Sequence, residues 1–200
     1  SHMAISSALA KALFGVHMYQ CGERYFTQLR SATARALVGD HHNVQSYVAC
    51  SCLTRRNCDP EFHTIVQALK CARHFLLWAS PEEFSLFMQL AVQTNIRAAH
   101  VIGPAMAFTA YLSKIGWTLN KQGDLFTTFG ATFNLCNSNL EDILTAAEED
   151  WMRNVVLSIS NRRGMTSIPL PSRRRTCAAL AKLPKSSQPI VAIEMTAGFM

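Results

Sequence analysis

Apolar positions recur every three or four residues along most of this 200-residue chain, the period of helices with one face turned inward. Ile5, Leu9, Ala12 and Leu13 predict a short helix over 4–14, closed near Gly15. Tyr25, Phe26, Leu29, Ala32, Ala36 and Leu37 predict a second from about Glu23 to Val38, with Gly39 as its left-handed stop. The pattern weakens between His41 and Arg56, where Val44, Tyr47, Val48 and Ser51 are compatible with a third helix. Asp59 followed by Pro60 is a sharper signal. The carboxylate can accept orphan amides as an N-cap, and proline is preorganised for the first helical position. Phe62, Ile65, Val66, Leu69, Ala72 and Leu76 then carry one apolar stripe to about Ala79.

Ser80, Pro81 and Glu83 spell a capping box with proline at N1, which predicts a helix carrying Phe84, Phe87, Met88, Ala91 and Val92 to the neighbourhood of Ala98. Gly103 and Pro104 break the chain, and Ala107, Phe108, Tyr111, Leu112 and Ile115 form the next stripe, ended by Gly116. The period then shortens. Trp117 to Leu119, a turn at Lys121–Gly123, and the Phe- and Thr-rich runs 125–129 and 131–135 predict a small antiparallel ribbon. Ser138, three residues before Glu141, reads as a second capping box, opening a helix through Leu144, Ala147, Trp151, Val155 and Leu157 to about Ile159. The fold class expected is mainly α, a bundle-like helical domain with an antiparallel β ribbon around 117–135.

After Ser160 the texture changes to arginine and proline, and the charge changes with it. Residues 1–160 hold twelve Lys or Arg against twelve Asp or Glu, while 161–200 hold seven against one, so the whole formal +6 belongs to the tail. The expected organisation is a tag remnant at 1–3, a helical domain over 4–160 and a basic, proline-containing tail over 161–200. Ser1, His2 and Met3 read as the scar of a cleaved expression tag, which leaves room for a longer parent protein. A field arising in one short segment directs any contact with a polyanion there first. The bland alternative is a solubilising end. Ile190–Ile193 could pair as an edge strand with a partner.

Seven cysteines at irregular spacing without a signal peptide point to reduced thiols inside a cell, in the nucleus or cytoplasm. No run of eighteen apolar residues suggests a membrane span. Cys50, Cys52, Cys58 and His63 are weak zinc candidates: the donor types suit the metal, but C-x-C-x5-C-x4-H lacks the usual knuckle spacing and a helix begins between the ligands. Cys71 is a looser substitute. No cofactor is expected. Thiol catalysis needs a base that sequence cannot place beside any cysteine, and His74 and His100 read as packing residues. Glu82 with Glu83, Glu141 with Asp142, and Glu148, Glu149 and Asp150 read as helix starts and exposed faces rather than paired catalytic carboxylates. No phosphate-binding or dinucleotide glycine motif is present.

The functional feature that remains is basic. Arg162, Arg163, Arg173, Arg174, Arg175, Lys182 and Lys185 can each meet a phosphate, with arginine forks adding bidentate geometry. On the second helix Arg24, Arg30 and Arg35 flank the apolar stripe, and Arg24 and Arg35 lie three turns apart and nearly in line.

The run LAKALFG at Leu9–Gly15, followed after fourteen residues by Arg30 within QLRSATARAL, resembles the segment just after the palm of non-LTR retrotransposon reverse transcriptases. In that family a Leu/Pro-Lys-Ala-Leu-Tyr-Gly motif precedes a helix with an LR-S/K-x-x-x-x-AL pattern. Phe14 stands where the family often has Tyr, and Gly15 matches the motif glycine. The Asp59-Pro60-Glu61 helix start, Ile115-Gly116-Trp117-Thr118 and the stretch from Asn139 to Val155 are similar to the connector downstream. The resemblance spans about 4–155 and implies a thumb or post-thumb segment that packs along a template–primer duplex. It carries no polymerase activity here, because the family's F/Y-x-D-D motif is missing; an intact parent could be an RNA-directed DNA polymerase.

The sequence therefore predicts a non-catalytic, nucleic-acid-binding accessory domain whose partner is RNA, DNA or their hybrid. The alternative is a protein-interaction or oligomerisation domain, with a protein partner or a second copy and no nucleic acid.

Overall fold

The computed structural model describes residues 2–19, 21–38, 46–52, 57–92 and 103–163. It is mainly helical with one small antiparallel sheet, as the periodicity predicts. The α-helices are α1 (His2–Ala12), α2 (Glu23–Val38), α3 (Ser46–Cys52), α4 (Pro60–Trp78), α5 (Pro81–Val92), α6 (Pro104–Lys114) and α7 (Leu140–Arg163). A 3-10 turn follows α1 at Val16–Met18. Strands β1 (Thr118–Leu119), β2 (Asp124–Phe126) and β3 (Thr132–Asn134) pair in chain order. Of the weakly patterned stretch 41–56, residues 46–52 are described, and they form α3. The expected extension of α5 toward Ala98, and His100, lie outside the described residues. Helix α7 continues past the expected boundary at Ser160, so Arg162 and Arg163 belong to its last turn.

Contacts divide the chain into two compact units. The first combines α1, the segment Gly22–His63 and the α7 residues from Met152 on; the second combines Leu13–Cys21 with Thr64–Trp151.

In the first unit α2 buries Phe26, Arg30, Thr33, Ala34 and Val38. This corrects the expected stripe, because Ala32 and Ala36 are exposed and the inward face is turned to take in a charged residue. Helix α3 contributes the buried Ala49, Cys50 and Ser51. The capping expected at Asp59 is present: its Oδ1 accepts the amides of Glu61 at 2.9 Å and Phe62 at 3.3 Å. Amides without acceptors at a helix start would be costly in this buried setting; the carboxylate accepts two of them, and Asn57 Oδ1 accepts the Asp59 amide at 2.9 Å.

The second unit buries Ile65, Leu69, Ala72 and Leu76 of α4, Phe87 and Met88 of α5, Phe108, Tyr111 and Leu112 of α6, and Ile115 just after it. Rings of Phe75, Phe87 and Phe108 meet in sequence, with centroids 5.5 and 6.1 Å apart. The Tyr111 hydroxyl donates to the Tyr19 carbonyl at 2.9 Å and accepts the Cys21 amide at 3.3 Å, fastening the chain after the 3-10 turn. Gly116 ends α6 at φ 75°, and a Cβ there would lie 2.6 Å from Thr128 Oγ1. Glycine is thus needed for both conformation and approach. Thr128 Oγ1 donates to the Ile115 carbonyl at 3.2 Å, tying the β2–β3 turn to the end of α6.

In the sheet Leu119 faces Leu125, and Leu125 faces Phe133. Leu125 is buried while Phe126 is exposed, the alternation expected of a sheet with one covered face. Asn120 Oδ1 accepts the amides of Gln122 and Asp124, both at 2.9 Å, and shapes the β1–β2 turn. Asn134 and Asn120 donate to the Asp124 carboxylate and hold it below the usual range.

The starts of α5 and α7 are capped differently. At α5 the capping box is complete: the Ser80 amide donates to Glu83 Oε2 at 2.8 Å and the Glu83 amide to Ser80 Oγ at 3.3 Å. These bonds hold the Glu83 carboxyl below its ordinary range. A depressed folded-state value contributes stability above the unfolded value and loses it as pH falls through the folded one. Acidification should therefore weaken the first turn of α5, and Ser80→Ala should return Glu83 toward the ordinary carboxylate range; a carboxyl NMR titration unchanged by Ser80→Ala would refute this. At α7 the expected box at Ser138 is corrected. Asn139 Oδ1 accepts the Glu141 amide at 3.0 Å, while Ser138 Oγ accepts the Asn134 amide at 2.9 Å. The hydroxyl is already engaged by the end of β3.

Candidate functional site

Arg30 is the most consequential of the basic residues singled out by sequence, and its position corrects the expectation. It is only 1% exposed. Nε pairs with Asp59 Oδ2, and Nη2 donates to Asp59 Oδ1 at 3.1 Å and to Glu61 Oε2 at 2.9 Å. The guanidinium carbon lies 3.6 Å from the centroid of the Tyr47 ring. Burial opposes the charge, but the Asp59 hydrogen bond and carboxylate, with Tyr47 and Glu61, outweigh it and hold the guanidinium above its ordinary value. A cation engaged by two carboxylates and an aromatic face cannot serve a backbone phosphate. Arg30 is an internal tie between α2 and the start of α4.

The same arrangement accounts for the thiols. The Cys58 amide donates to the Cys50 carbonyl at 2.9 Å, and the Cys50 thiol donates to the Arg30 carbonyl at 3.6 Å. Burial pushes the Cys50 thiol far up, with Asp59 and Cys58 adding to the shift and Arg30 opposing it. A thiol held protonated is a poor metal ligand and a poor nucleophile. Cys58 is buried, His63 is half-buried on α4, and the Cys52 side chain lies outside the described residues. No group of three or more His, Cys, Asp or Glu side chains able to hold a metal occurs among the described residues.

Arg24 and Arg35 are exposed on α2. Helical spacing places Gln28 and Ser31 between them on the same face, giving Arg24, Gln28, Ser31 and Arg35 at i, i+4, i+7 and i+11. This edge is free of acidic side chains and spans about 16 Å along the helix axis. The side chains of Arg162 and Arg163 are outside the described residues, as are Arg173, Arg174, Arg175, Lys182 and Lys185.

Sequence reasoning missed three features. Arg73, half-buried on α4, donates Nη1 to the carbonyls of Leu135 at 2.8 Å and Ser138 at 2.6 Å, anchoring the end of β3. Asp150, read as an exposed-face residue, is buried and accepts the Trp117 indole N–H at 2.6 Å. The third is an apolar cleft of about 210 Å³ in the second unit, lined chiefly by Met18, Cys71, Ala72, Phe75, Phe87 and Phe108. His74, read as a packing residue, is instead exposed on α4. A helical-stripe position occupied by arginine, as at Phe26–Arg30–Ala34–Val38, was the available signal for the first unit's ion pair.

Comparison with protein-family models, curated proteins and solved structures finds no match. Among the described residues no helix is long and apolar enough to cross a membrane.

Proposed function

We propose that this chain is a non-catalytic nucleic-acid-binding accessory domain of a retroelement-like protein, gripping phosphate backbone by the α2 edge and the basic tail. The observation that carries this reading is the edge itself: two exposed arginines three turns apart, separated by Gln28 and Ser31, with no carboxylate on the line. Arginine forks supply bidentate charged donors, and the amide and hydroxyl add neutral ones, the mix that positions a protein on a phosphate backbone without reading bases. The tail, seven cations against one anion, adds long-range attraction. The resemblance to the thumb of non-LTR reverse transcriptases supports the same reading.

A fluorescence titration with RNA, DNA and their hybrid at two salt concentrations tests it. Every phosphate that is no longer neutralised should lower the log-log salt slope by about 0.7 to 0.9. Arg24→Ala with Arg35→Ala should therefore flatten the slope by about one to two units, and replacing Arg173, Arg174 and Arg175 with Ala by about two to three. Affinity that is absent, or unmoved by both sets, removes this function.

A second reading, an interaction or assembly domain, has its own observation in the cleft and in the exposed Trp78. It predicts association that survives loss of the arginine triplet.

A further inference from the structure

Helix α4 shows two different faces. Ile65, Leu69 and Leu76 are buried, whereas Cys71, Phe75 and Trp78, at i, i+4 and i+7, follow an open edge. Phe75 is 44% exposed and Trp78 81%. That edge borders the cleft, whose α4 wall is Ala68, Cys71, Ala72 and Phe75. One helix thus carries a recess over 68–75 and, a turn beyond it, a projecting indole.

We propose that α4 is a two-fold interface on which a second copy of this chain docks with its own α4 antiparallel, the axis passing at Phe75. In such a contact each residue meets its reflection in number about the axis. Phe75 meets the Phe75 of the other copy, and Trp78 of each copy faces Ala72 of the other. Small side chains at Ala72 and Cys71 leave room there, and the rings of Phe87 and Phe108 line the recess. A cavity of about 150 Å³ admits a benzene molecule, so a cleft of about 210 Å³ suits a larger aromatic group. Aromatic side chains seated in desolvated recesses are the usual energetic centres of interfaces.

The self-complementary shape, a projecting indole and a recess on one helix edge, meets no clash of like charges. A two-fold contact brings like residues together near its axis, so any ion there meets its own kind. Ala68, Cys71, Ala72, Phe75 and Trp78 carry none, and the ionisable groups beside them are two histidines, His17 in the wall of the recess and the exposed His74 of α4. By helical spacing Lys70 points away from this edge, and Arg73 is held by the Leu135 and Ser138 carbonyls. The face that is apolar is also the face that can meet itself. This inference rests on the second reading, the assembly domain, and is independent of the nucleic-acid one.

Sedimentation equilibrium of the full chain tests it. The expected result is a monomer–dimer equilibrium weakened at least about thirtyfold by Trp78→Ala, the range of a central aromatic hot spot. Ala72→Trp, which fills the recess from a buried position, should weaken it comparably, with circular dichroism checking that this variant folds. Trp78 is exposed, so its replacement leaves the core intact, and far-ultraviolet circular dichroism checks this. Register is tested separately in a Cys71→Ser background. Phe75→Cys should join to its own copy when diamide takes up the two thiol hydrogens, whereas Leu77→Cys, exposed on another face of α4, should not. Crosslinked peptides are identified by mass spectrometry. A chain monomeric at all concentrations, a dimer indifferent to Trp78→Ala and Ala72→Trp, or crosslinking through residue 77 instead of 75 overturns the proposal.

Discussion

Asp59→Ala is expected to cost about 3 to 5 kcal/mol, the range for removing one partner of a buried ion pair. The carboxylate has two duties at once. It caps α4 through the Glu61 and Phe62 amides, and it neutralises most of the Arg30 fork. Capping alone is worth about 1 kcal/mol, so the larger part of the loss comes from the stranded guanidinium. Urea unfolding followed by circular dichroism measures it. Tryptophan fluorescence is the wrong probe, since Trp78, Trp117 and Trp151 all belong to the second unit. Arg30→Met should also be destabilising, because it leaves Asp59 and Glu61 facing each other in a buried place. The double variant should recover part of the loss, the sign of direct coupling. A single Asp59→Ala cost under about 1 kcal/mol, or strict additivity, would show that Arg30 finds other partners and that the ion pair is incidental.

Trp117→Ala should destabilise the second unit by about 3 to 5 kcal/mol, the usual range for truncating a buried aromatic residue. The indole sits 2% exposed, its ring stacked near Phe133 with centroids 6.2 Å apart, and it donates to Asp150. Trp117→Phe separates these contributions. It keeps most of the packing and removes the N–H donated to the carboxylate, for which about 1 to 3 kcal/mol is expected. Here the fluorescence of the remaining tryptophans and circular dichroism should move together. If Trp117→Phe were neutral, the bond to Asp150 would have no net value and the burial of that carboxylate would need another account.

Both predictions depend on buried groups that the sequence reading placed on the surface. Arg30 looked like one of three surface arginines on α2, and Asp150 like the last of three acids on α7. Each was judged by the like charges on its own helix, of which Arg24, Arg35 and Glu149 are exposed. What turned them inward is a partner 29 positions away for Arg30 and 33 away for Asp150. The Ser138 box failed for a related reason: the pattern was right, but the hydroxyl was taken by the Asn134 amide and Asn139 capped instead. The cleft was illegible throughout, because its walls come from α4, α5, α6 and the 3-10 turn together.

By itself the sequence determined the helices, their starts at Pro60 and Pro81, the stop at Gly116, the ribbon after Trp117, and the concentration of net charge beyond residue 160. Those features are settled by contacts within a turn or two, between backbone groups and side chains only a few positions apart. Tertiary structure decided which polar groups go inside, which arginines stay outside and which apolar side chains are left uncovered. These outcomes follow from desolvation, and a buried charge is tolerated only where the folded chain brings it a partner. The α2 helix contains both kinds of information: its helical period is local, while the division of Arg24 and Arg35 from Arg30 was made by Asp59.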